Sequence, residues 1–188
     1  WENACAQASQ AQRTAWLALA PYQEELAAGA QELERLAARY VALALQQAGL
    51  LERPGATFDE ETIARRLELA PHYRRQLPRW LALARPWLPR QGDQYTARRP
   101  ARYDQRRLAR RASRAARRYP IMAPQLELLA RCGRQLAEVW AGRQDPLALL
   151  FPDGSTATAE ALYKDSPIAA FYGALVGAAA AACAPADG

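Results

Sequence analysis

Residues 22–49 run YQEELAAGAQELERLAARYVALALQQAG, and their period decides the fold class. Leu26, Leu33, Ala37, Tyr40, Val41, Ala44 and Ala48 fall on one stripe at helical spacing. Glu24, Glu25, Glu32 and Glu34 sit toward the start, where the helix dipole favours carboxylates. Gly49 supplies the stop. The stretch predicts one long amphipathic helix.

The same period governs the flanks. Ala6–Ala20 reads as a preceding helix. Pro124 opens a second strongly periodic helix, with Leu126, Leu129, Ala130, Gly133, Leu136, Ala137 and Trp140 on its buried face and Gly142 at its end. Arg53-Pro54-Gly55 is a turn. Thr57 as N-cap and Glu60 three residues later form a capping box, predicting a helix through Leu69 that ends before Pro71. Pro71, Pro78 and Pro86 begin or break helices. Gly92-Asp93 makes a tight turn, and Tyr95-Thr96 is strand-like, as in the wing of a winged helix. The expectation is an all-α domain of about seven or eight helices with a small β wing near Gly92. The 188 residues suit a single domain; two lobes, 1–97 and 120–188, joined by the basic segment 98–119, are the alternative.

Composition agrees. Apolar residues make up 51% of the chain, dominated by Ala and Leu, which favour helix. The net charge of +6 is almost wholly arginine, Lys164 being the one lysine. Ten arginines fall within the twenty-one residues Arg98–Arg118. Tyr103, Leu108, Ala112, Ala115 and Tyr119 form a thin apolar stripe between them, so the segment is a basic helix or a partly disordered linker. The one methionine, Met122, is internal and the chain opens on Trp1, which reads as a piece of a longer polypeptide. No apolar run reaches a membrane span and no signal peptide is visible. Cys5, Cys132 and Cys183 fit reduced thiols better than a disulfide framework, pointing to the cytoplasm.

Several chemistries lack their residues. With His72 alone, a multi-histidine metal site is excluded. Neither nucleotide-binding fingerprint nor a nucleophile elbow is present. Asp59, Glu60 and Glu61 read as first-turn helix charges rather than acid–base machinery. Trp80, Trp87, Trp140, Phe151, Tyr163, Phe171 and Tyr172 read mostly as core. The expectation is no metal, no cofactor and no catalytic residue. The arginine segment leaves a nucleic-acid-binding module open as the weaker alternative, and an acidic protein partner would use the same charges.

Further along stands GRQLAEVWAGRQDPLALLFPDGSTATAEALYKDSPIAAFYGALV (133–176). This resembles the segment just ahead of the methyltransferase core in modular polyketide synthases and hybrid peptide assembly lines. The motifs that carry the resemblance are DPLxLLFPxGS and EALYxDSP, over about forty residues; residues 33–50 and 71–88 resemble the family's earlier lid helices more weakly. The resemblance implies a helical lid beside a Rossmann-like core that binds S-adenosylmethionine, with the catalytic residues in that core. A glycine-rich motif is expected shortly after Val176, and Ala178–Gly188 holds none. Ala170 stands where the family usually has Arg, and Gly173 where it has Asn.

These departures imply a lid that no longer serves a working methyltransferase, a non-catalytic domain of a polyketide synthase. It is similar in that respect to the domain of unknown function beside the cysteine-lyase domain in leinamycin-type synthases. Such a domain would pack on adjacent domains of the same synthase and help position a chain tethered to an acyl carrier protein. The residues expected at a substrate channel or neighbour contact are Phe151, Tyr163, Asp165, Ser166 and Tyr172. Arg106, Arg107, Arg110 and Arg111 are expected to meet an acidic carrier protein. The alternative is the lid half of an active C-methyltransferase. Locally, Phe151-Pro152 ends an apolar anchor and Asp153-Gly154-Ser155 supplies a turn. Ser155 or Thr156 can cap the helix toward Tyr163, and Ser166-Pro167 can open the next.

Overall fold

The computed structural model describes residues 2–98, 102–164 and 166–183. The helices are α1 (Glu2–Leu19), α2 (Gln23–Gln47), α3 (Glu60–Arg66), α4 (Leu77–Leu83), α5 (Gln105–Arg118), α6 (Ala123–Arg134), α7 (Leu136–Trp140), α8 (Pro146–Leu150), α9 (Ala157–Tyr163) and α10 (Pro167–Cys183). Short strands β1 (Thr57–Phe58), β2 (Arg90–Gln91) and β3 (Gln94–Thr96) form one antiparallel sheet in the order β1-β3-β2. The chain is all-α with a small wing, as its Ala- and Leu-rich composition dictates.

The central element is α2. From Tyr40 to Leu45 every residue is buried, so the helix is apolar on all sides there and not only along the stripe that the spacing marks. One core gathers on its C-terminal half: Val41, Ala42, Ala44 and Leu45 pack with Leu50, Leu51, Ile63, Leu77, Leu81, Leu88 and Trp140. Another forms around Leu36, with Ala112, Ala115 and Ala116 of α5 and Ile121, Met122 and Leu126 beyond it. Tyr40, Leu43 and Leu108 lie in a smaller cluster of their own. Gly49, at φ +70°, ends α2 in a Schellman motif: Leu50 N–H donates to the Leu45 carbonyl and Gly49 N–H to that of Gln46.

Three local expectations are corrected. Thr57 is not an N-cap. Thr57 and Phe58 are extended and pair with Thr96 and Tyr95, so the cap falls to Asp59, whose Oδ1 accepts from Thr62 N–H at 2.7 Å. The helix that follows stops at Arg66, before Leu69: Glu68 turns to φ +51° and Leu69 N–H closes back on the Ala64 carbonyl. The periodic run from Pro124 also breaks, at Gln135, which separates α6 from α7. These divisions raise the number of helical segments above the seven or eight expected.

The wing forms where Gly92 and Asp93 predict it. Gly92, at φ +61°, turns β2 into β3. From Gln105 onward the arginine-rich segment is the helix α5, with Leu108, Ala112, Ala115 and Ala116 buried against α2 and α6. Asp104 caps it by accepting from Arg107 N–H at 2.8 Å. Gln46 of α2 holds its approach by a reciprocal pair of hydrogen bonds with the Tyr103 backbone. No helix among the described residues is long and apolar enough to cross a membrane.

Candidate functional site

The corner at residues 145–167 is built from local rules. Asp145 caps α8 through Leu147 N–H. Pro152 and Asp153, the latter at φ +54°, turn the chain, with Gly154 N–H returning to the Phe151 carbonyl. Ser155 Oγ accepts from Ala157 N–H at 3.3 Å, and Thr156 Oγ1 donates to Glu160. Ser166 is buried and its Oγ accepts from Ala169 N–H at 3.0 Å, with Pro167 in the first turn of α10. Arg131 of α6 clamps the corner, donating to the Leu149 carbonyl at 3.1 Å and to Thr158 Oγ1 at 3.0 Å. This arginine has no signature in the sequence, because its partners are reached only through the fold.

The expected contact residues divide between two places. Phe151 is half-buried at the end of α8, and Tyr163 ends α9 with 76% of its surface exposed. Tyr172 is 60% exposed on α10, its ring edge-on to Phe171, which in turn meets Trp16 of α1. Tyr163 and Tyr172 are therefore not core residues. Asp165 lies outside the described residues. Ser166 already spends its hydroxyl on the cap.

Two surfaces stand out. One is the pair α1–α10, whose helices pack mainly on each other. Between them runs a groove of ≈ 550 Å³ lined by Thr14, Ala15, Ala18, Pro167, Ala170 and Phe171. No charged residue occurs from Pro167 to Cys183, yet Tyr172, Ala174, Val176 and Gly177 are exposed. A helix that is apolar all round is normally buried. Trp16 and Leu17 extend the exposed apolar surface on α1.

The other surface is α5. Arg106, Arg107, Arg110, Arg111, Arg114, Arg117 and Arg118 are all exposed. At 100° per residue they occupy about 140° of the helix circumference, opposite the buried stripe. Arg111 is engaged: its Nε donates to Glu32 Oε1 at 2.7 Å. Burial would raise the Glu32 carboxyl, but the hydrogen bond and charge of Arg111, with Arg39 and Arg35 behind, hold it below its ordinary value. The others make no ion pair among the described residues. Arg114, Arg117 and Arg118 belong to this face although the sequence singles out only the first four.

No group of His, Cys, Asp and Glu suited to a metal ion occurs among the described residues. Cys132 is half-buried, which pushes its thiol up.

Comparison with solved structures places this architecture. Across 98% of its length the chain superposes on half (50%) of the CurJ carbon methyltransferase, with TM-score 0.81 and 26% identity. The DszA carbon methyltransferase matches 92% of the chain with 42% of its own, at TM-score 0.74 and 26% identity. The chain folds like one half of a carbon methyltransferase. The citrinin polyketide synthase CMeT domain shares the fold at 17% identity and TM-score 0.74, over 97% of this chain and 48% of that one. No family model and no curated protein matches the sequence. The chain thus spans about half the length of the methyltransferases it resembles, and the resemblance of 133–176 is part of a likeness that runs along nearly the whole chain.

Proposed function

We propose that this methyltransferase-like half is a non-catalytic helical domain of a polyketide synthase. It packs through α1–α10 on a neighbouring catalytic domain of the same synthase. There it helps to shape the path of an acyl chain tethered to a carrier protein. The observation that carries the reading is α10: seventeen residues without a charge, largely uncovered, in a chain that accounts for half of each methyltransferase it resembles. Burying the exposed apolar side chains of this pair would release roughly 25 cal/mol for each Å² removed from water. Phe151 and Tyr163 at the α8–α9 corner, with Asp165, Ser166 and Tyr172, are proposed to contact that neighbour or the acyl chain. Arg106, Arg107, Arg110 and Arg111 are proposed to lie on the side the carrier approaches.

The positions where the family pattern fails support the non-catalytic assignment. Ala170 lines the α1–α10 groove. A Cβ on Gly173 would meet nothing within 4 Å. Internal packing therefore does not demand a small residue at 173; the usual Asn would fit without strain. Its loss, with that of Arg at 170, removes polar groups from the uncovered side of the lid.

The second reading, the lid half of an active methyltransferase that uses S-adenosylmethionine, rests on the likeness to carbon methyltransferases. Calorimetric titration of the parent polypeptide with S-adenosylmethionine separates the two. Absence of binding is the expected result, and saturable binding with methyl transfer establishes the second reading. Packing is tested by co-purifying the chain with the adjacent catalytic domain. Val176→Asp is expected to abolish association while leaving the thermal midpoint of the chain unchanged; association that survives this change overturns the assignment of the seam.

A further inference from the structure

We propose that α5 docks an acidic α-helix of a partner protein, laid along its arginine face. The six arginines of α5 without an ion pair among the described residues fall into two rows. Arg106, Arg110 and Arg117 lie within about 40° of one line along the helix, and Arg107, Arg114 and Arg118 within about 40° of a second. Each row spans three turns, about 17 Å. A facing helix with carboxylates at i, i+4, i+7 and i+11 presents its own ridge at the same repeat, so its charges alternate into the trough between the rows.

Beside the second row the surface is already shaped. A recess of ≈ 300 Å³ opens beside Glu32, lined by Arg111, Arg114, Ala115, Arg118 and Tyr119. Glu32 fixes Arg111 at its edge, and the Arg118 guanidinium lies over the Tyr119 ring, 5.6 Å from its centre. Arg114 and Arg118 of the second row line this recess with fork-shaped donors suited to a carboxylate. The exposed part of this face carries no large apolar side chain, so association here is electrostatic, fast and sensitive to salt.

Charge placement favours a protein over a nucleic acid. The order α2-β1-α3-α4-β2-β3 is that of a winged helix, in which α4 would be the reading helix. That helix exposes Pro78, Arg79, Ala82 and Leu83, with one charge among them. The arginines lie instead on α5, outside that unit, where a reading helix would need them least. The carrier protein of the proposed function is the partner expected to bring an acidic helix. That identification rests on the proposed function; the docking face does not.

Fluorescence anisotropy of a labelled three-turn helical peptide, with glutamates at i, i+4, i+7 and i+11, tests the face on the full chain. The peptide should bind and should weaken as salt is raised. A peptide of the same composition with its glutamates spread around the helix should bind at least about threefold more weakly. Replacing Arg106, Arg110 and Arg117 together by Glu, or by Gln, should weaken binding by about tenfold or more at an unchanged thermal midpoint. Arg111→Gln should lower the midpoint, which the triple variants leave unchanged, because it removes the pair with Glu32. Val176→Asp should not affect the peptide, so failure of the α10 seam and failure of the arginine face are separable. Equal binding of the two peptides, unchanged affinity in both triple variants, or tighter binding of a duplex DNA at physiological salt would overturn the proposal.

Discussion

Gly133→Ala tests the packing at the centre of the fold. A Cβ at residue 133 would lie 2.4 Å from Tyr40 Cγ, 2.5 Å from Cδ2 and 2.7 Å from Cδ1. Carbon atoms in contact rest at about 3.5–4.0 Å, so the ring or the α6 backbone must retreat by about 1 Å. The ring has no room to do so: Tyr40 is 1% exposed, clustered with Leu43 and Leu108, with Tyr103, Leu129 and Leu136 packed around. Overpacking of this kind costs about 1–3 kcal/mol. It outweighs the gain of up to about 1 kcal/mol that Ala brings to a helix over Gly. The expected loss is about 1–2 kcal/mol, read from urea unfolding followed by tryptophan fluorescence and circular dichroism. In a Tyr40→Leu background the same substitution should cost little or become stabilising, giving a coupling of about 1 kcal/mol or more. If Gly133→Ala alone raises stability as an exposed helical position would, the ring does not lie against α6 and the account of the core fails.

Other consequences are local. Arg111→Ala removes both hydrogen bonds to the buried Glu32 carboxylate, leaving it the looser Arg35 pair at 3.7 Å, and should cost about 1–3 kcal/mol in thermal or urea unfolding. Because the folded Glu32 value lies below its ordinary 4.5, the stability it contributes is complete above that pH and is lost as the pH falls through the lowered value. Glu32→Gln should therefore be less stable than the parent at pH 7 and converge with it in acid, once the pH has fallen below that lowered value. Glu68 ends α3 at φ +51° and is paired with Arg143. In an Arg143→Ala background, where that pair is gone, Glu68→Gly should gain about 1 kcal/mol by relieving the left-handed backbone. Arg131→Ala should speed amide exchange in α8 and α9, which it ties to α6, more than in α2.

The sequence carries the long helices because their burial is periodic. The 22–49 stripe needs no tertiary information to be read, whereas the thin Leu108–Ala112–Ala115 seam leaves the arginine segment open between helix and linker until α2 and α6 cover it. The wing was legible from Gly92-Asp93, whose turn demands a positive φ. What the chain alone hides is the competition between local options. Thr57 makes as good a cap as Asp59 until a distant strand, β3, claims its backbone. Leu36 and Leu43 fall off the marked stripe of α2, yet they are buried because α2 has neighbours on more than one side. Among the contact candidates, exposure decides: Tyr163 and Tyr172 read as core by chemistry and lie outside it by position. The pairing of Glu32 with Arg111, seventy-nine residues apart, leaves no trace in spacing, and neither does the clamp of Arg131.

Hydroxyl-radical footprinting of Tyr172 and Val176 tests the central claim most directly, comparing the isolated 188-residue chain with the same residues in the synthase polypeptide proposed for it. These side chains are 60% and 69% exposed in the chain by itself. The account predicts ready labelling in the isolated chain and severalfold protection in the intact polypeptide. Equal labelling of Tyr172 and Val176 in the two samples would mean that nothing covers α10, and would contradict the proposal that this domain works by packing on a catalytic neighbour.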